Sequence, residues 1–191
     1  MSGLTPDLWE PLVLSFLAIL FRVAALVALL PALGEASIPA RVKLALSICL
    51  TLLIIPIVPP IDPGALRGSR MYASIASEIG VGLWFGILLR VFVFCLQTAG
   101  SIAAQSTSLS QILGTAGVEP LPAMGHVITM AGLSLAMALG LHVSAVQYLI
   151  GSYALFPFGA LPDSADLVTS GVAQIAWGFR LAFTLAAPFF I

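Results

Sequence analysis

Four charged side chains lie inside otherwise apolar runs of this sequence: Arg22, Glu78, Arg90 and Arg180. An ionised group in apolar surroundings costs a few kcal/mol, so each must be paired or face water. One acid among bases suits two kinds of chemistry, a proton or ion relay or a structural ion pair that locks helices together. Glu78 and Arg90 are twelve positions apart, which is about 120° around a helix and about 18 Å along it. They cannot meet on one straight helix. Glu78 must take its partner from another helix or subunit, with Arg22 and Arg180 as the candidates. Three arginines and one glutamate make a poor relay, and the structural pair is the better fit.

A second constellation is uncharged. Arg90, Gln97, Ser101 and Ser108 recur at spacings of seven, four and seven. At about 100° per residue they share a narrow stripe, with Gln105 and Gln111 on its flanks. Such a stripe either lines a pore or hydrogen-bonds to neighbouring helices, and both readings stand. Small residues also pair at four-residue spacing, Ala76 with Gly80, Gly82 with Gly86 and Ala99 with Ala103, a pattern that lets helix backbones approach closely. The stretch Ser106–Gly125 carries Gly114, Gly117, Pro120 and Pro122, with Glu119 as its single charge. It reads as a gating plug or as a surface linker.

Other chemistry is not supported. His126 and His142 are sixteen apart with no neighbouring carboxylate or cysteine, so no metal site is expected. Cys49 and Cys95 lie in separate apolar runs and read as buried free thiols. No P-loop, nucleophile elbow or H-E-x-x-H is present. No catalytic residue and no cofactor are expected.

These groups need an apolar scaffold. Of the 191 residues, 60% are hydrophobic and 8% charged, against about 25% charged in soluble domains. So few charges could not cover a water-soluble surface, and the class is an all-α polytopic membrane protein. At about 20 residues per crossing there is room for about four or five spans. A net charge of −1 argues against nucleic acid. Asp7 and Glu10 precede the first apolar run where a signal peptide would be basic, so that run is expected to stay in the mature protein.

The first run extends from Pro11 to Gly34, with Pro31 ending its helix near Leu30. The second, Leu44 to Val58, is short and holds Pro56, which predicts a kink or shallow insertion. PPIDPGALRGSR is a breaker. The third run spans Tyr72 to Ala104. Val127 to Phe156 reads as one long or two broken helices, with Gly140 and Gly151 as candidate breaks. The last run is Leu167 to Ile191. Arg41 and Lys43 face one side and Arg67 and Arg70 the other if each run crosses once, so basic residues do not set the orientation. The whole, residues 1–191, is expected to be one membrane-embedded helical domain. Its apolar end, AAPFFI, leads to the expectation that the chain is truncated there.

Taken in order, these segments resemble the flagellar biosynthetic protein FliR and its type III secretion counterparts, the SctT family. The resemblance starts with FRVAALVALLPALGEASIPARVKLALSICLTLLIIPIVPP: an arginine in the first run, a proline-ended first helix and an IPxRVK loop. It continues through the glutamate–glycine helix SEIGVGLWFGILLRVFVFCLQTAGSIAAQ and ends with GLHVSAVQYLIGSYALFPFGALP. It covers essentially the whole chain. The family often places an acid before the glutamine where this sequence has SIAAQ, so no role is carried over for that acid.

The resemblance implies bent helical hairpins of the FliP/FliR export-gate type in the bacterial inner membrane, at the flagellar basal body. It implies FliP-like and FliQ-like partners, other export apparatus proteins, surrounding lipid, and unfolded proteins as the cargo of the channel. It places a channel plug in about Ser106–Gly125 and about two further helices beyond Ile191. A small-molecule transporter or channel is the competing class, but the two halves show no internal repeat.

Overall fold

The computed structural model describes residues 6–35, 38–58, 70–106, 123–160 and 162–190. Those residues are helical with no strand: α1 (Pro6–Leu29), α2 (Ala40–Ile54), α3 (Arg70–Ser106), α4 (Ala123–Ala138), α5 (Leu141–Leu155) and α6 (Ser164–Ala186), then a 3-10 turn, Ala187–Phe190. Prolines set several boundaries. α1 ends two residues before Pro31. α2 starts directly after Pro39 and stops at Ile54, because Pro56 has no N–H to give the Leu52 carbonyl. The second run is therefore a helix shifted four residues towards the N-terminus and closed by a turn, with Ile57 N–H donating to Ile54 O at 2.8 Å.

No proline interrupts α3, which runs unbroken for 37 residues, about 55 Å at 1.5 Å per residue. The break in the fourth run falls at Gly140 and not at Gly151. Gly140 has φ +85°, a conformation that costs a side-chain-bearing residue about 1–2 kcal/mol. Gly151 lies inside α5. The run also begins earlier than expected, at Ala123, so Ser106 and Ala123–Gly125 belong to helices and not to the linking stretch. α1 and α3 are each long and apolar enough to cross a membrane, and α4 with α5, bent by 62° at the break, forms a broken span or a re-entrant loop. α2 is 15 residues long. α6 has 23 residues but lacks the apolarity. Where the length leaves room for about four or five spans, the described residues hold two such helices, or three spans if α4 and α5 form one.

The chain divides into two compact units, Met1–Ile87 with Val143–Ser164, and Leu88–His142 with Ala165–Ile191. In the first, α1 buries Ala18, Ile19, Arg22, Val23, Leu26, Val27 and Leu30, a stripe at three- and four-residue spacing. It faces buried residues of α2 (Ser47, Thr51, Ile54), α3 (Ser77, Glu78, Val81) and α5 (Ala145, Leu149, Ser152, Tyr153). Lys43 Nζ donates to the Gly34 carbonyl at 2.9 Å, tying α2 to the end of α1. The second unit packs Cys95 and Ala99 of α3 against Ala182 of α6. Leu52, Leu53, Leu139 and Leu155 are exposed, an apolar surface fit for lipid.

Replacing Gly140 by alanine should lower the thermal midpoint of the detergent-solubilised protein, by the equivalent of about 1–2 kcal/mol. Gly151→Ala meets nothing within 4 Å and should be neutral or stabilise by about 0.5–1 kcal/mol. Equal midpoints for the two variants would contradict the placement of the break.

Candidate functional site

Three helices converge on one ion pair. Arg22, two turns before the end of α1, presents its guanidinium edge to Glu78 on α3: Nε donates to Oε2 at 2.7 Å and Nη2 to Oε1 at 2.8 Å. This is the bidentate fork that arginine and a carboxylate form best. Both side chains are fully buried. α5 and the residue just past its end supply the remaining partners. Nη1 donates to Ser152 Oγ at 3.0 Å, and Nη2 also donates to the Phe156 carbonyl at 3.1 Å. Ser152 Oγ in turn donates to the Leu149 carbonyl at 2.6 Å. The Tyr153 ring lies under the guanidinium, 4.0 Å from Cζ to the ring centroid, a cation–π contact strengthened by the absence of solvent. Past the end of α5, Gly159 N–H donates to Glu78 Oε1 at 3.4 Å.

The backbone had to permit this. A Cβ on Gly82 would collide with the Arg22 carbonyl, and one on Gly86 would come within 2.7 Å of Leu29 Cβ. The Gly82/Gly86 pair is thus the surface on which α1 lies against α3, one turn beyond Glu78. Ala76 and Gly80 are exposed, whereas Ala99 and Ala103 are buried in the second unit.

Of the charges singled out in the sequence, the structure brings together Arg22 and Glu78. Arg90 and Arg180 belong to the second unit, half-buried on α3 and exposed on α6. Arg180, the other candidate partner for Glu78, does not fill that role. In the polar stripe, Gln97 is exposed and Ser101 half-buried, with Ser101 Oγ donating to the Thr98 carbonyl at 2.9 Å. Gln105 is helical. Ser108, Gln111, Gly114, Gly117 and Glu119 lie outside the described residues. Sequence reasoning missed Ser152, Tyr153 and Gly159. Their signal was a serine–tyrosine pair in an apolar run just before the FPFG turn. Cys95 is buried and its thiol donates to the Gly178 carbonyl at 2.9 Å. Cys49, expected to be buried, is exposed on α2, within the apolar outer surface of the first unit.

The family model for bacterial export proteins, family 1, matches residues 13–191. The chain belongs to that family. It is similar to the flagellar biosynthetic protein FliR of Caulobacter vibrioides, with 34% identity over 173 residues, covering 87% of this chain and 68% of that protein. It is also similar to the FliR of Escherichia coli, with 26% identity over 191 residues, covering 97% of this chain and 73% of that one. It is a subunit of the flagellar type III export apparatus, an all-helical protein of the inner membrane at the flagellar basal body. The buried pair joins α1 to α3 and, through Ser152, to α5.

Removing one partner of a buried pair strands the other charge, at a cost of about 3–5 kcal/mol. Glu78→Ala should therefore sharply lower the thermal stability of the solubilised protein. Glu78→Gln should be milder, since it still accepts a hydrogen bond from Arg22. The double replacement Arg22→Met with Glu78→Leu should recover most of the loss. A wild-type melting curve for Glu78→Ala would rule out the fastening role.

Proposed function

We propose that this chain is a wall subunit of the export gate, assembling with FliP-like and FliQ-like subunits around a channel for unfolded proteins. The observation that carries the reading is that its buried charge cluster is closed on itself. Arg22 and Glu78 direct their hydrogen bonds to each other and to Ser152, Phe156 and Gly159, all within one unit. With its charged atoms so occupied, the cluster holds helices in register, and the Tyr153 hydroxyl beside it is the buried side-chain polar atom left without a hydrogen-bond partner among the described residues. The exposed apolar sides of α1, α4 and α5, with Leu12, Leu135 and Tyr148 among them, leave wide surfaces for lipid and neighbouring subunits. Gln97 on its exposed face of α3, with Arg90 and Ser101 half-buried beside it, supports a position for that stripe towards a neighbouring helix or the protein path. No cofactor enters this reading, and the energy for export comes from other components.

The chain with an affinity tag, expressed in its full natural length and solubilised in mild detergent, should co-purify with FliP-like and FliQ-like subunits. Saturable transport of a small solute by the protein reconstituted alone would instead favour the transporter class.

The resemblance also assigns Ser106–Gly125 the role of plug in the resting channel. Its single charge, Glu119, keeps the desolvation cost of entering an apolar throat low. Deleting a few residues around Gly114–Gly117 should leave assembly intact and raise ion leakage in cells expressing the whole gate. Unchanged leakage from a correctly assembled deletion variant would make the segment a plain linker.

A further inference from the structure

We infer that one water molecule is bound inside the first unit, accepting a proton from Arg22 Nη1 and another from the Tyr153 hydroxyl, as a fixed part of the buried cluster. The inference goes beyond the export-gate reading and does not depend on it.

Two donors of the cluster are left over. A guanidinium carries five N–H groups in a fixed fork and accepts nothing. Arg22 places four of them. Nε donates to Glu78 Oε2, Nη2 to Glu78 Oε1 and to the Phe156 carbonyl, and Nη1 to Ser152 Oγ. The second N–H on Nη1 has no acceptor among the described residues. Arg22 is 0% exposed, so bulk water does not reach it. A neighbouring donor is in the same condition. Tyr153 is 6% exposed, and its hydroxyl has no hydrogen-bond partner among the described residues.

The two belong to one place. Arg22 Cζ lies 4.0 Å from the centroid of the Tyr153 ring, and the hydroxyl stands at the edge of that ring. One small acceptor can touch both. A buried donor left unmet gives up its hydration for nothing, so two of them side by side call for an acceptor between them.

The chemistry of the site selects water. A cation would meet only donors. An anion would meet them well, but Glu78 already neutralises Arg22, and a second buried negative charge would be uncompensated. Water is neutral, accepts two hydrogen bonds and donates two. Its own protons have acceptors at hand, because a helix carbonyl keeps a second lone pair after its helical bond. Buried waters sit in this way on polar groups that the chain leaves unmet, with about three hydrogen bonds each. The water then joins α1 to α5 once more, beside the direct bond from Arg22 to Ser152.

The sign of one substitution separates the cases. Tyr153→Phe keeps the ring under the guanidinium and removes the hydroxyl alone. With the water in place, the variant takes away one of its anchors. The thermal midpoint of the solubilised full-length chain should then fall by about 2–4 °C or more. A hydroxyl without an acceptor is a burden, and its removal would leave the midpoint unchanged or raise it; that result would overturn the inference. A density map of the wild-type protein should show a peak within about 2.7–3.2 Å of both Tyr153 Oη and Arg22 Nη1. A protein carbonyl against Tyr153 Oη in that map would overturn the inference as well. So would the lack of a peak where equally buried solvent is visible elsewhere in the same map. A midpoint that moves on replacing chloride by gluconate in the wild type but not in Tyr153→Phe would identify an anion instead, and would also overturn it. The map needs no variant, so it decides the matter even if Tyr153→Phe fails to fold.

Discussion

A guanidinium and a carboxylate that are both fully removed from solvent must find each other within tenths of an ångström. Much of the first unit follows from that demand. Arg22 and Glu78 fix α1 against α3 in rotation and in height, because a shift of one residue turns either side chain by about 100°. Arg22 meets α3 twice, through its side chain at Glu78 and through its carbonyl at Gly82, one turn further on. The remaining guanidinium donors then fix α5, through Ser152 within it and Phe156 just past its end, both of which accept from Arg22. Apolar packing alone tolerates sliding and repacking. A bidentate pair does not, and the specificity of the three-helix arrangement comes from it.

The second unit is held by different means. Cys95, Ala99 and Ala182 form its core, and a thiol–carbonyl contact joins α3 to α6. Gly100 lies so close to α4 that a Cβ there would be 2.5 Å from Gly125 Cα. In lipid there is no hydrophobic gain from joining two apolar helices, so contact of this kind relies on close approach and dispersion. The continuous α3 carries both solutions, with the charge that orders the first unit near its start and the small residues that order the second near its end.

Helix content and the proline-set end of α1 were legible in the sequence, since proline acts through local geometry, whereas Pro56 stops α2 where a kink or shallow insertion was expected. So was the rule that Glu78 needs a partner off its own helix, which follows from helical pitch. The choice between Arg22 and Arg180 was not. Both lie in similar apolar runs, and sequence separation does not say which helix packs on which. Gly140 and Gly151 posed the same difficulty, for both are glycines in one apolar run and only Gly140 takes a positive φ. Ser152 and Tyr153 escaped notice because a lone hydroxyl and an aromatic are ordinary in membrane helices. Their meaning comes from the guanidinium between them. For the polar stripe on α3, helical periodicity placed Arg90, Gln97 and Ser101 together, but exposure of Gln97 beside half-buried neighbours is set by packing that periodicity does not contain.

Arg22 and Arg180 show how one residue type takes opposite roles in one chain. Arg22 is surrounded by acceptors from two other helices and buried completely, so its charge is settled once the chain folds. Arg180 remains exposed on a helix whose inner face is already packed. Its long stem lets the charged head stay in polar surroundings while the methylenes lie along the helix. Loss of the buried arginine strands the Glu78 carboxylate, whereas among the described residues no carboxylate is paired with Arg180 to be stranded.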